Sequence, residues 1–192
     1  MRNISRILAV AIGVAVFAST TGFCAANNSN ASTVTLTATL PESLTIAATP
    51  SAVTFNLVAG SSTNSGSAPV AITTSWVLNG SRSTVTLTGW FSSAAQALAG
   101  TGSTPAYIPT SEILGQVTTG APTSYTAFTQ AVTGGALGVS GASLVLFQAT
   151  VDGTHRNITR TDNLNLEINL ASQTQLPADV YTGTLNIQAQ AL

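Results

Sequence analysis

The clearest pattern in the chain is an alternation of threonine with apolar residues over residues 33–40, which ends at Pro41. A side-chain period of two is typical of a strand, and threonine and valine favour the extended backbone. Proline ends the pattern because it has no N–H for a sheet hydrogen bond. The segment is predicted to be a strand with one apolar face, formed by Val34, Leu36, Ala38 and Leu40.

Further short alternating runs follow, separated by turn residues and by loops rich in Gly, Ser, Thr and Asn. They predict strands at residues 44–46, 53–57, 70–78, 85–91, 162–170 and 180–191. Residues 143–151 are apolar on both faces, which is typical of a central strand. Asn79 and Gly80 predict a hairpin between the two strands that flank them.

The sequence between these runs is less regular. Residues 92–98 are the one plausible helical stretch, and it is short. Residues 100–141 predict long surface connections with one hairpin, built from weak strand signals at residues 113–117 and 125–132.

Many short strands with almost no helix predict an all-β fold. The expected architecture is an immunoglobulin-like Greek-key β-sandwich, either incomplete or completed by the N-terminal strand 33–40. The competing interpretation is two separate β-modules divided near residues 100–120.

The first six residues contain Arg2 and Arg6, residues 7–18 are an apolar run, and residues 19–26 are mostly small and polar. This order is typical of a cleaved secretory signal peptide, and 12 apolar residues are fewer than the roughly 20 that span a membrane. A lipid anchor on Cys24 is the alternative, although Phe23 stands where such an anchor needs a small residue. Cleavage leaves a secreted or cell-surface domain, residues 27–192, with no cysteine and no membrane span.

Charged residues are scarce, at 6% of the chain against about 25% in ordinary soluble domains, and lysine is absent. After the signal peptide, three arginines face six carboxylates, a formal charge of −3. This balance argues against nucleic acid and anionic membranes as partners. Sheet edges without lysine also have little to prevent edge-to-edge pairing, so the composition favours self-association.

Candidate chemistry is sparse. His155 is the single histidine, and the nucleophile motif Gly-x-Ser-x-Gly does not occur. One histidine, no cysteine after residue 26 and no calcium-loop motif leave too few metal ligands at close spacing. Six scattered carboxylates make a glycosidase pair such as Asp152 with Glu167 an unfavoured alternative. The sequence therefore predicts a non-enzymatic protein without cofactor or metal.

The two tryptophans have different expected roles. Trp76 falls on the apolar face of its strand and is predicted to anchor the core. Trp90 lies on the opposite face of its strand, among threonines, where it packs under a loop or partner or offers a surface platform for a sugar. An extracellular carbohydrate-binding module, with Tyr107 or Tyr125 beside Trp90 and glycans as ligands, is the alternative function.

The two ends of the chain resemble chaperone–usher pilins. Residues 32–46, STVTLTATLPESLTI, are similar to the start of colonisation-factor pilins, in which an alternating donor strand precedes a proline and a second short strand. Residues 176–187, LPADVYTGTLNI, are similar to the final strand of those pilins and of spore-coat-U-like pilins. Asp179 stands where that family often has glycine.

This resemblance implies a structural or adhesive subunit of a surface fibre, assembled by donor-strand complementation. An incomplete sandwich would accept the first strand of the next subunit, so self-association or related subunits, and a periplasmic chaperone, are the implied partners. The residues of 33–40 leave two possibilities open, because the strand could complete its own sandwich or that of a neighbour.

Overall fold

A computed structural model describes residues 27–131 and 137–192. The predicted signal peptide and Cys24 lie outside these residues. The chain divides into a unit of residues 1–38 and a compact unit of residues 39–192, and the fold described below is that of the second unit. Among the described residues, no helix has the length and apolar character needed to cross a membrane.

The described secondary structure is almost entirely β, which confirms the predicted fold class. The strands are β1 (Ser43–Thr49), β2 (Asn64–Ser65), β3 (Val70–Val77), β4 (Thr84–Trp90), β5 (Leu98–Ala99), β6 (Tyr107–Ile108), β7 (Ile113–Val117), β8 (Thr126–Ala127), β9 (Ser143–Thr150), β10 (Asn157–Ile168) and β11 (Asn186–Ala191). A single 3-10 turn, Thr110–Glu112, precedes β7.

Two antiparallel sheets form the body of the compact unit. The larger has the order β1-β3-β10-β7-β8, with β2 also paired to β10, and the smaller has the order β11-β4-β9. Strands β5 and β6 form a separate two-stranded pair. Because β7 pairs with β10 across the region 100–120, residues 39–192 do not divide into the two modules considered as an alternative.

The two larger sheets pack face to face around one apolar core. Trp76 of β3 stacks on Phe147 of β9 across the gap, with ring centroids 6.4 Å apart. Trp76 is 2% exposed and its indole N–H donates to the His155 carbonyl oxygen at 2.9 Å, so its prediction as a core anchor is confirmed. The immunoglobulin-like Greek-key order of the strands stays a prediction.

Strand β10 is the longest strand and lies in the middle of the larger sheet, paired on both sides. The predicted inward residues of this run are buried, namely Leu164, Leu166, Ile168 and Leu170. Its N-terminal half instead places charge in the interior, where Asp162 is fully buried and Arg160 lies 4.1 Å above the Phe147 ring.

The prediction that residues 143–151 form a central strand is wrong, because β9 lies at the edge of the smaller sheet. A β-bulge explains the misleading pattern. Leu87 faces Phe147 whereas Thr88 faces Val145, so Leu146 is the extra residue and both Leu146 and Phe147 are buried. A bulge interrupts the alternation of side chains between the two faces. The apolar run therefore results from the bulge, and it does not indicate a central position in the sheet.

Two local predictions between these strands also fail. Strands β3 and β4 do not pair with each other, because the chain passes from the larger to the smaller sheet at Asn79 and Gly80 instead of making a hairpin. The helix expected at residues 92–98 is absent, since the backbone there bonds to β6, with the Ala97 N–H donating to Ile108. The expected hairpin within residues 100–141 is present as β7 and β8.

Candidate functional site

The candidate site is an open groove along one side of the sandwich, between β1 and β11. Strand β1 is an edge of the larger sheet and pairs only with β3, and β11 is an edge of the smaller sheet and pairs only with β4, within the described residues. The two edges lie next to each other. Each therefore presents one row of backbone N–H and C=O groups without a sheet partner.

The groove is deep beyond the end of β1 and shallow near its start. At the deep end, a cavity of about 960 Å³ lies between residues 48–59 on one side and residues 176–187 on the other. Its floor consists of core side chains, including Val70, Phe91, Ile113 and Ile168. At the other end, a smaller cavity of about 310 Å³ lies between Leu44 and Ala189.

The apolar residues on the walls of the groove are only half-buried, whereas those on its floor and in the middle of the sandwich are buried. The apolar side chains that contact the core but remain half-buried on the two walls are Leu44, Ile46, Val53, Phe55, Leu57, Leu176, Tyr181, Leu185, Ile187, Ala189 and Ala191. Covering apolar surface that is still exposed to water would stabilise the sandwich by about 25 cal/mol per Å². This side of the sandwich therefore has room for another apolar element.

The first wall contains residues 53–57, which were predicted to be a strand. The structure assigns only an isolated bridge there, between Phe55 and Gly66. The side chains alternate as predicted, since Val53, Phe55 and Leu57 are half-buried and their neighbours exposed. The segment is not a strand because its backbone pairs only at the short stretch of Gly66 and Ser67, which follows β2.

Some backbone N–H groups of this wall have no hydrogen-bond partner among the described residues. The Thr54 carbonyl oxygen accepts from the Ser67 N–H at 2.9 Å, and the Val58 N–H donates to the Asn64 side chain at 2.8 Å. Neighbouring residues of an extended backbone direct their amides to the opposite side. The N–H groups of Val53, Phe55 and Leu57 have no partner among the described residues.

The second wall is formed by residues 176–185, which precede β11. The prediction of one continuous strand over residues 180–191 is wrong, because only Asn186–Ala191 pairs with β4. Upstream of Asn186 the chain leaves β4 and makes an isolated bridge between Thr182 and Ala99 instead. The N–H groups of Tyr181 and Gly183 have no partner among the described residues.

Among the described residues, Asp179 is the one charged residue that lines the deep end of the groove. Its carboxylate accepts hydrogen bonds from the Thr101 hydroxyl at 2.6 Å, the Val180 N–H at 2.7 Å and the Gly102 N–H at 3.0 Å. These donors, with Thr101 first, lower the pKa of the Asp179 carboxyl. Burial and the nearby Asp179 charge raise the pKa of the Tyr181 hydroxyl on the same wall.

The other edges of the two sheets are covered, in contrast to β1 and β11. On β9, the Val145 N–H donates to the Gln130 side chain at 2.7 Å and the Leu146 carbonyl oxygen accepts from the Ala121 N–H at 3.1 Å. On the larger sheet, the far edge is β8, which has two residues. Short or covered edges do not recruit further strands, so the groove is the place where this sandwich can be extended.

Residues 33–40 are not a strand within the chain, which corrects the first prediction made from the sequence. No strand covers residues 27–42, and all of these residues are exposed. The predicted apolar face is in water, with Val34 81%, Leu36 89% and Leu40 78% exposed and Ala38 exposed as well. These apolar side chains are therefore not covered by other described residues.

The chain leaves this segment at a fixed point. The Glu42 carboxylate accepts from the Asn79 N–H at 2.8 Å and pairs with the Arg82 guanidinium at 3.1 Å. The Arg82 hydrogen bond and the Asn79 N–H lower the pKa of the Glu42 carboxyl. Because Glu42 immediately precedes β1 and lines the smaller cavity, the chain enters β1 at the shallow end of the groove.

The aromatic residues proposed as a sugar platform are not brought together. Trp90 is half-buried on the smaller sheet, opposite Asn186 and Ser143. Tyr107 belongs to the β5–β6 pair and Tyr125 precedes β8 on the larger sheet. Binding to glycans therefore stays a prediction, and these three aromatic residues lie on different elements of the fold.

The residues considered for catalysis lie apart from the groove. His155 and Asp152 are exposed and joined by a 2.6 Å contact in the loop before β10, which lowers the pKa of Asp152 to about 2. The Glu167 carboxyl belongs to β10, and burial raises its pKa. In residues 27–131 and 137–192, no three side chains of His, Cys, Asp or Glu are placed to hold one metal ion.

Sequence analysis singled out the segment 33–40 and residues 176–187 and predicted strands on both walls, but it did not predict the groove between the walls or the hydrogen bonds of Asp179. The walls look like ordinary strands in the sequence, since their alternation is the same whether or not a partner strand is present. One signal was available. The wall residues 176–185 contain Pro177 and Gly183, which weaken a continuous strand.

Comparison of the chain with protein-family models, with characterised proteins and with solved structures finds no match. Any function is therefore argued from the groove, the exposed segment and their chemistry.

Proposed function

We propose that the protein is a structural or adhesive subunit of a cell-surface fibre, exported by its N-terminal signal peptide. In this proposal the exposed segment 33–40 of one copy enters the groove of a second copy and forms the missing strand. A periplasmic chaperone would supply a comparable strand before assembly, as the pilin resemblance implies. The protein then has no catalytic role.

The observation that carries the proposal is that one chain holds both an unfilled strand site and an unused strand. The groove is apolar at its floor and open along both edges. The segment has one apolar face with three large side chains in water. Among residues 27–131 and 137–192, neither the segment nor the deep part of the groove is covered by another strand.

Energies explain why two open edges matter. Burying Val34, Leu36 and Leu40 gives roughly 5–9 kcal/mol. Ordering eight backbone residues costs about 1–2 kcal/mol each, which is more. Backbone hydrogen bonds, at about 0.5–1.5 kcal/mol each, close the difference only if the strand bonds on both sides. The deep part of the groove offers both sides, because both of its walls, residues 53–57 and 181–183, carry N–H groups without a partner among the described residues.

The anchor at Glu42 favours donation to a neighbour over self-completion. A chain that turned back at Pro41 would lie along β1, which is seven residues long. A segment of eight residues would then reach only the start of the deep cavity, at Ala48 and Pro50, and would leave the rest of it unfilled. A donor from a second copy can enter the deep end, and the same relation repeated from copy to copy gives a head-to-tail fibre.

Paired variants of the purified full chain test this proposal. Leu36→Asp places a charge on the apolar face of the segment, where insertion would bury it without a partner. Thr37→Asp places the same charge on the opposite face and is the matched control. We expect fibres by negative-stain microscopy for the parent chain and for Thr37→Asp, but monomers for Leu36→Asp.

Because Leu36 is 89% exposed, neither variant should change the melting temperature of the monomer. A parent chain that remains monomeric under all assembly conditions would contradict the proposal. So would fibres that form equally well from Leu36→Asp and Thr37→Asp.

A further inference from the structure

The second groove wall is fastened differently from the rest of the smaller sheet. Strand β11 bonds continuously to β4 from Asn186 onward. Residues 176–185 leave β4 and lie against residues 97–102 instead. Two backbone hydrogen bonds between Thr182 and Ala99, both 2.9 Å, are the only backbone-to-backbone bonds from residues 177–185 to other parts of the described chain.

The Asp179 carboxylate supplies the remaining polar fastening. One oxygen accepts from the Thr101 hydroxyl and the Val180 N–H, and the other accepts from the Gly102 N–H. Gly100 lies so close that a Cβ there would meet the carboxylate. Hydrogen bonds to an ionised acceptor are roughly twice as strong as neutral ones. The bonds from Thr101 and Gly102 therefore add to the two backbone bonds of Thr182 in holding the wall to the loop.

We propose that Asp179 is a positioning residue for strand binding, because it holds residues 176–185 at the distance from residues 50–59 that a donor strand requires. This inference rests on the proposed function. A wall fixed before binding does not have to be ordered during binding, so the donor is retained longer. Asp179 can fix the wall in place because its carboxylate accepts hydrogen bonds both from the loop, at Thr101 and Gly102, and from its own segment, at Val180.

The test measures how fast subunits leave preformed fibres in denaturant too dilute to unfold the monomer. Asp179→Asn keeps the size of the side chain but removes the charge and one acceptor oxygen. Thr101→Val removes the hydroxyl donor, and Thr101→Ser restores it. We expect release to be about tenfold faster for Asp179→Asn and Thr101→Val, and unchanged for Thr101→Ser.

Asp152→Asn is the matched control. The Asp152 carboxylate also accepts several local hydrogen bonds, from the Thr154 N–H, the Thr154 hydroxyl and the His155 N–H, but it does not line the groove. We expect its fibres to release subunits at the parent rate. Equal acceleration by Asp152→Asn would overturn the inference, since any exposed carboxylate would then have the same effect.

A second measurement separates this inference from the proposed function. Amide hydrogen exchange reports the Gly102 and Val180 N–H groups in a monomer made with Leu36→Asp, without fibres. Both should exchange faster in Asp179→Asn than in Asp152→Asn. Unchanged exchange, or unchanged release from fibres, would overturn the positioning role, whereas a parent chain that forms no fibres would refute the proposed function itself.

Discussion

Gly183 lies directly against the carbonyl group of Ala97, with no space for a Cβ atom between them. A methyl group at Gly183 would meet the Ala97 oxygen and also come within 2.6 Å of the Leu98 side chain. Since the obstructing atoms are mainly backbone, the wall could accept a side chain only by moving. This contact sets how closely the wall before β11 approaches the β5–β6 pair.

We therefore expect Gly183→Ala to displace the wall and destabilise the compact unit by about 1–3 kcal/mol. This corresponds to a fall of several degrees in the melting temperature, which calorimetry of the monomeric Leu36→Asp background would measure. Gly153→Ala is the control, because a Cβ at Gly153 meets no atom within 4 Å. Equal melting temperatures for the two variants would contradict the close packing of this wall.

The buried pair of Arg160 and Asp162 gives a second prediction about stability. The guanidinium donates to the Asp162 carboxylate at 2.7 and 2.5 Å, and Asp162 is fully buried while the Arg160 side chain is 28% exposed. Asp162→Asn removes the charge that compensates the arginine. We expect a loss of about 2–3 kcal/mol in the free energy of unfolding, measured by urea denaturation.

Arg156→Met provides the comparison for this pair. Arg156 is exposed and lies immediately before β10, so this substitution should change the free energy of unfolding little. If Asp162→Asn and Arg156→Met gave the same urea midpoint, the buried pair would not stabilise the fold.

The sequence was most informative where a strand has a partner on both sides. The predicted runs 70–78 and 162–170 overlap β3 and β10 to within two residues at their C-terminal ends, because burial on one face imposes the alternation that the sequence shows. It was less informative about pairing. The Asn79 and Gly80 dipeptide has the composition of a hairpin, yet the flanking strands belong to different sheets, a choice that depends on the whole core.

The candidate site, too, could be predicted from the sequence only in part. The alternation of apolar and polar residues at 33–40 could be read from the sequence, although these residues are not a strand in the structure. Whether the apolar residues are covered could not be read from it, because exposure depends on the rest of the fold. The role of Asp179 was also hidden, since its partners Thr101 and Gly102 are far away in the sequence and lie in a weakly patterned region.

The Glu167 carboxyl provides a prediction about pH. Burial raises its pKa, so the folded protein holds this proton more tightly than the unfolded chain does. Stability should fall as the pH rises from the ordinary glutamate pKa, about 4.3, through the raised value, and then stay lower. Glu167→Gln should therefore melt at a higher temperature than the parent at pH 7 and at the same temperature at pH 3.

Thermal melts of both proteins at the two pH values check this expectation, in the monomeric background. A higher melting temperature for Glu167→Gln at pH 3 as well would show that the effect does not come from ionisation.

The most direct test of strand donation mixes two variants that each lack one half of the interaction. Leu36→Asp keeps the groove but spoils the donor segment. Val180→Asp keeps the segment but places a charge on the groove wall, and because Val180 is 66% exposed its monomer should stay folded. Size-exclusion chromatography with light scattering gives the mass of each protein alone and of their equimolar mixture. Donation between copies predicts monomers for each variant alone and a one-to-one dimer for the mixture, whereas a mixture that remains monomeric, beside a parent chain that is also monomeric, would contradict it.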